Sequence, residues 1–308
     1  MRPFRFGIND RLVDDVEQWR DIARRAEGGG FDILHIADHL SDQLLGLAPL
    51  VTAAEATTDL RVGTLVLNHD FRHPVVLARE AATVELLTDG RFELGLGAGH
   101  MAHEYESAGL TFDPPGRRVS RFIEHVEVVR RLLDRAGEPV SYDGRHFTVT
   151  EQRVVPVRRP RLLVGGNGDR VLAAAARDAD IVGLVGFRVV DGTTDIDPSH
   201  VSRAGLADRI GVVREAAGDR FGDLELNLLV QRVQLGSSPR AAAEEMSAGH
   251  GFLTPEIVLD SPFFLAGTVD SIVEELQGLR EELGVSYVVT HGPNHDAFAP
   301  VVGRLAGT

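Results

Sequence analysis

The sequence predicts an α/β protein, a (β/α)8 TIM barrel. Three observations predict it: short apolar runs recur along the chain, amphipathic stretches lie between most of them, and 308 residues pass without a break in composition. Strands alternating with helical patterns argue for a parallel sheet. About 250 residues suffice for such a barrel before insertions. Residues 1–308 therefore read as one domain.

Eight strands are expected, at Phe4–Ile8, Ile33–Ala37, Arg61–Leu67, Phe92–Gly97, Arg161–Val164, Ile181–Val185, Leu224–Leu235 and Tyr287–Thr290. The first is too short an apolar run for a signal peptide. The third leads into a polar turn, Asn68, His69, Asp70, Arg72 and His73, before an apolar helix opens at Pro74. The fourth divides by parity: Phe92, Leu94 and Leu96 on one face, Glu93, Gly95 and Gly97 on the other. Glu225, Asn227 and Gln231 repeat that theme in the seventh. Such a face suggests a polar layer inside the barrel. Val119, Phe122, Ile123, Val126, Val129 and Leu133 mark one apolar helix face, and Ile272, Val273, Leu276, Leu279 and Leu283 another. Gly284 ends the latter in the left-handed position, and Thr268 caps its start.

Three stretches exceed ordinary connections: about Ala136–Pro160, Phe187–Gly205 and Gly236–Gly267. Long connections in a compact domain suggest lids or insertions, here at the carboxyl-terminal face of the barrel. Tyr142 to Phe147 reads as a hairpin with an Asp-Gly turn.

Composition narrows the function. The formal net charge is −14 and the pI about 5.3, so a basic footprint for nucleic acid is missing and an anionic membrane would repel the chain. No apolar window approaches the roughly 20 residues of a membrane span. Cysteine and lysine are both absent. That excludes disulfides, thiolate chemistry, a P-loop lysine and a Schiff-base lysine. The expected compartment is the cytoplasm.

Ligands bind at the carboxyl ends of barrel strands, so the strand ends hold the candidates. Asp38 and His39 close the second strand, and a histidine there suits general acid–base work. Gly97, Ala98 and Gly99 end the fourth and would let a flat ring or a phosphate approach the backbone. His100, His103 and Glu104 follow on a helical turn. Their spacing matches no zinc motif, and no metal site is expected. Gly165, Gly166, Asn167, Gly168 and Asp169 lead from the fifth strand into a helix. They read either as a phosphate site or as a tight turn with Asp169 as its cap. Arg117, Arg118 and Arg121 form either a solvated face or a reach toward an anion.

As an ordered set these segments resemble the luciferase-like monooxygenase superfamily, on the branch that uses the deazaflavin coenzyme F420. The carriers are Ile36 to His39, Gly63 to Asn68 with Arg72, His73 and Pro74, Gly95 to Gly99, Leu163 to Gly166, and Gly267-Thr268. The resemblance covers nearly the whole chain. It implies a luciferase-like (β/α)8 barrel with the ring across the carboxyl ends of the strands, and a non-prolyl cis peptide at Leu65–Val66. It assigns acid–base chemistry to His39, shared with His100. It assigns the cofactor to Asp38, Leu65, Val66, Asn68, Gly97, Ala98, Gly99, His103, Gly165, Gly166, Asn167 and Gly168.

Two departures stand out. Family members of this branch often carry a tryptophan just after the histidine, where Leu40 to Gly46 holds no aromatic. Some carry a glutamate at the place of His100.

The activity implied is hydride transfer between the deazaflavin and a small organic substrate. The alternative is a two-component monooxygenase using reduced FMN and O2. A homodimer is expected, with a flavin or F420 reductase as a source of reduced cofactor. A non-catalytic carrier is a third reading, which the polar strand ends disfavour.

Overall fold

Eight parallel strands close into a ring in the computed structural model of the chain, which describes residues 1–10, 13, 15–40, 44–187, 197–249 and 251–308. The strands are β1 (Arg5–Asn9), β2 (Ile33–Ile36), β3 (Arg61–Thr64), β4 (Phe92–Gly97), β5 (Arg161–Gly166), β6 (Ile181–Leu184), β7 (Glu225–Val230) and β8 (Val285–His291). Each pairs in parallel with its neighbours, and β1 pairs with β8 from Arg5↔Tyr287 to Asn9↔His291. The predicted (β/α)8 barrel is the fold found.

The helices follow the apolar periodicity. On α1 (Val16–Gly28), Trp19, Ala23 and Ala26 are buried. α2 is Ala48–Glu55. α3 (Pro74–Leu87) starts at Pro74, where the missing N–H is harmless. α4 is the short helix Ala102–Ser107. α5 (Pro115–Asp134) buries Phe122, Val126, Val129 and Leu133 as expected, and also Val128 and Leu132, because α3 and α6 (Asp169–Asp178) flank it on two sides. Thr268 caps the helix Val269–Leu283 by accepting from Ser271 N, and Gly284 ends it at φ 78°.

Three sequence expectations change. The seventh strand does not run unbroken from Leu224 to Leu235. It stops at Val230, and Arg232–Leu235 leaves the barrel to pair with Phe264–Gly267. Gln231 makes the turn, its N–H donating to Phe263 O at 2.8 Å. The stretch Gly236–Gly267 accordingly holds that strand and two helices, Pro239–Ser247 and Pro255–Asp260. Third, the hairpin is real, Val140–Asp143 against Thr148–Gln152, but its loop is Gly144 to Phe147. Gly144 N donates to Phe147 O at 3.0 Å. The buried Glu124 carboxylate sits under that loop and accepts from His146 N and Phe147 N. A Cβ on Gly144 would lie 2.1 Å from Glu124 Oε1, so a larger residue there would displace the carboxylate from the loop amides. Of Phe187–Gly205, residues 188–196 lie outside the described residues.

The lumen is layered. At the amino-terminal end Arg5 donates to Glu225 (2.8 Å) and to Glu93, Arg61 to Glu93 (3.1 Å), and Arg161 reaches Glu225 (2.8 Å). Burial opposes the Arg5 charge, but Glu93, Tyr287 and Glu225 outweigh it and raise its pKa. Burial likewise penalises Glu93, and Arg5 and Arg61 still hold its pKa below the usual range. This is the expected polar layer for Glu93 and Glu225. His35 is fully buried against Tyr287 OH (2.5 Å), and burial pushes its pKa down to about 4. Ile33, Leu65, Leu163, Ile181, Tyr287 and Val289 pack together as an apolar cluster of their own. The polar mouth comes next.

Candidate active site at the barrel mouth

His39 follows β2 and is half-buried. Its Nδ1 lies 3.0 Å from Glu104 Oε1, and the same oxygen accepts from Leu40 N at 3.1 Å. Glu104 is buried on α4. A carboxylate on Nδ1 fixes the ring and its tautomer, and leaves Nε2 for proton exchange. The sequence reading weighed Glu104 only as a metal partner. Its place one turn past the glycine segment was the signal available. The His100 ring stands edge-on to His39, centroids 5.8 Å apart. Packed protein on one side, then the neighbouring His39, lowers its pKa and favours the neutral imidazole. His103 is exposed on α4.

Asp38 is buried and engaged. It accepts from Arg72 Nη1 at 2.7 Å and from Asn68 N at 3.2 Å. Asn68 Nδ2 in turn donates to Tyr105 OH at 3.0 Å, and Tyr105 OH donates to Asp70 at 2.9 Å. Burial alone would raise the Asp70 pKa; His69, Arg121 and Tyr105 hold it well below the ordinary carboxylate range. Asp38 and Asn68 thus tie the frame under the mouth together.

The Leu65–Val66 peptide is cis, and Asn9 Nδ2 donates to Leu65 O at 3.2 Å. Leu65 is buried in the lumen. Val66 sits in a niche of glycines. A Cβ on Gly97 would come within 2.5 Å of Val66 Cγ2, and one on Gly165 within 3.2 Å of Val66 Cγ1. These two positions make room for a side chain of this protein. Gly99, at φ 68°, lies against Tyr105 and Asn68, and Gly166 against Val171. Over Gly168 a Cβ would meet nothing within 4 Å. Gly168, not Asp169, is the N-cap of α6. Ala98 is partly buried between Gly97 and Gly99.

Three features leave polar capacity unspent. Among the described residues, Asn9 Oδ1 and Asn167 Oδ1 are buried acceptors without a partner; Asn167 Nδ2 donates to Phe187 O at 2.6 Å. Arg118 is buried, donates to Gly99 O (3.2 Å) and Asp113 O (2.8 Å), and stacks on Phe112. No carboxylate pairs with it among the described residues. Arg121 instead spends its charge on Asp70 and Asp113, and Arg117 is exposed. Buried polar groups are normally satisfied, so these mark a place for a ligand bearing N–H or O–H donors and an anion. Among the described residues no group of three His, Asp or Glu side chains is arranged for a metal ion. No helix among them is long and apolar enough to cross a membrane.

Comparison with known proteins agrees with this geometry. A relative from Beutenbergia cavernae, named an F420-dependent glucose-6-phosphate dehydrogenase, is 34% identical over 312 residues, covering 89% of this chain and 87% of its own. One of the same name from Kribbella flavida is 27% identical over 306 residues, covering 90% and 88%. A solved F420-dependent secondary alcohol dehydrogenase, in complex with an F420–acetone adduct, superposes with a TM-score of 0.75 over 99% of both chains at 18% identity. That likeness is one of fold. Residues 4–197 match the profile of luciferase-like monooxygenases, and the chain belongs to that family.

Proposed function

We propose that this protein is a coenzyme F420-dependent oxidoreductase that transfers a hydride between the deazaflavin and a small organic substrate. The observation that carries the reading is His39 held by buried Glu104 at the carboxyl end of the strands, in a chain whose relatives, matched over most of their length, are named F420-dependent dehydrogenases.

The residues present fit such a group. The orphaned oxygens of Asn9 and Asn167 suit ring and side-chain donors. Open space over Gly168 at the start of α6, with Arg118 nearby in the frame of Gly99, suits a phosphate. When bound, the coenzyme supplies or accepts a hydride at C5 of its ring. The protein does the rest. Val66 and its glycine niche set the floor of the mouth. His39 Nε2 gives or takes the proton at the substrate, with Glu104 holding the ring. His100, neutral, lines the same edge. Phe187, Phe252 and Phe264 form an aromatic group with centroids 6.2–6.4 Å apart, next to Asn167, and would shield the mouth from water.

The test is a fluorescence titration with oxidised F420 and, separately, with FMN. Micromolar or tighter binding of F420, with FMN much weaker, supports hydride transfer. A preference for FMN moves the reading to oxygen-dependent monooxygenation. His39→Ala should leave F420 affinity within a few fold and cut turnover by about 10²–10⁴; unchanged turnover removes His39 from the mechanism.

The reading includes a cytoplasmic homodimer, with a reductase supplying reduced coenzyme. Val76, Leu86 and Leu87 on α3 and Val155 and Val157 beyond the hairpin are exposed, which favours a covered face. Sedimentation as a monomer at micromolar concentration would refute the dimer.

A further inference from the structure

A groove of about 420 Å³ lies between the first turn of α5 and the hairpin loop, lined by Gly116, Arg117, Ser120, Arg145 and His146. No apolar side chain lines it. Its size is that of a pocket for an organic ligand, about 300–1,000 Å³, and exceeds the need of a lone ion. The protein is strongly acidic, yet this groove presents two guanidinium groups. Arg145 makes no hydrogen bond or ion pair with any described residue. Arg117 has only a loose contact, 3.7 Å, with Asp113 Oδ1. That aspartate is already bound to Arg121 at 2.6 Å.

The groove is held in shape. The hairpin loop is pinned to α5 by buried Glu124, which accepts from His146 N and Phe147 N. Gly144 makes that approach sterically open. His146 Nε2 lies 3.0 Å from Ser120 Oγ. So Arg145 is presented from a fixed loop. The groove also adjoins the phosphate loop proposed above: Arg170, on the first turn of α6, donates to Gly116 O at 3.4 Å. Arg170 thereby bridges the groove to Gly168.

We infer that this groove binds the acidic tail of the coenzyme, the γ-linked glutamates that continue beyond its phosphate. The inference rests on the proposed use of F420. Arg117 and Arg145 would receive successive carboxylates, for which guanidinium forks are matched. Ser120 and His146 add hydrogen-bonding groups along the wall. None of these residues enters the acid–base machinery at His39.

The test uses the purified full chain and two probes: oxidised F420 with four or more glutamates, and the tail-less phosphate form. Binding is read by fluorescence at low and at 0.5 M salt. The wild type should bind the long-tailed form tighter by about five- to tenfold, the range that two part-exposed ion pairs supply, and salt should shrink the gap. The double variant Arg117→Glu/Arg145→Glu should abolish the gap and leave the tail-less form unchanged; its circular dichroism and that of Arg117→Gln/Arg145→Gln check folding. Equal affinity for both forms in the wild type overturns the inference alone. So does a double variant that keeps the gap. If neither form binds, the cofactor reading falls and the inference falls with it.

Discussion

Gly97→Ala tests whether the glycine end of β4 serves Val66 or a ligand. The added methyl would lie 2.5 Å from Val66 Cγ2, whereas carbon atoms in contact sit about 3.5–4.0 Å apart. Val66 must move by roughly 1 Å, and it is bounded on another side by Gly165. Overpacking of this kind costs about 1–3 kcal/mol. Val66→Ala alone removes two methyl groups from a half-buried site and costs about 1 kcal/mol. In the double variant the methyl added at position 97 enters the space that the valine vacated. The two losses should therefore fail to add, with a coupling of about 1 kcal/mol or more. Urea unfolding at constant m-value measures each corner of the cycle. Additivity within about 0.3–0.5 kcal/mol would refute the steric account. F420 titration of the same variants separates the roles. If the glycine makes room for the ring, Gly97→Ala weakens binding whether position 66 is Val or Ala.

Glu104→Gln keeps an acceptor for Leu40 N but loses the charge facing His39; kcat should fall about 10-fold or more with little change in F420 affinity, its pH profile should move, and a profile and kcat equal to wild type would dismiss Glu104 as a positioning residue. Acid should weaken the fold through His35 and His125, whose pKa values burial pushes down to about 4 and about 3. The unfolded chain binds these protons near pH 6.5 and the native protein only far lower, so stability is present above about 6.5 and is lost as pH falls. For His35 alone the loss by pH 4 is about 3 kcal/mol at 1.36 kcal/mol per pH unit. Urea midpoints at pH 7 and pH 5 measure it, and a His35→Gln protein with an undiminished slope would contradict it.

The barrel was legible because its strands are short apolar runs with clear breaks and its helices keep one face apolar. Where the reading failed, a tertiary contact decided the matter. Nothing local in Leu224–Leu235 announces that Gln231 will bond to Phe263 and turn the chain outward. The Asp-Gly pair in the hairpin suggested a two-residue turn, but Glu124, 22 residues before His146, claims the loop amides. Strand-end chemistry was visible at His39, since its position needs only the strand boundary. The pairing with Glu104 was not, because it joins β2 to α4. Parity exposed Glu93 and Glu225 as lumen residues. Their partners Arg5, Arg61 and Arg161 sit at strand starts, where alternation against turn residues is weakest.

The two polar ends of the barrel make opposite demands, and substitution should tell them apart. At the base, three arginines share two buried carboxylates, and each carboxylate is answered by more than one guanidinium. A charge there has nothing to meet but its neighbours, so the layer is complete without a ligand. Arg61→Met leaves Glu93 with Arg5 but removes part of its compensation. Removing one member of a buried ion network is destabilising, here by about 1–3 kcal/mol since Arg5 remains. At the mouth, Arg118 is buried beside backbone carbonyls and forms no ion pair among the described residues, and burial lowers its pKa. A buried cation without an ion pair costs stability, which offsets the loss of its two hydrogen bonds to carbonyls, so Arg118→Met should lower the urea midpoint less than Arg61→Met does. If the missing anion belongs to the coenzyme, the same change should weaken F420 binding tenfold or more, whereas Arg61→Met leaves affinity within twofold. The reverse pattern, more stability lost at Arg118 than at Arg61 and affinity lost at Arg61, would mean that the ligand does not supply the charge which the mouth lacks.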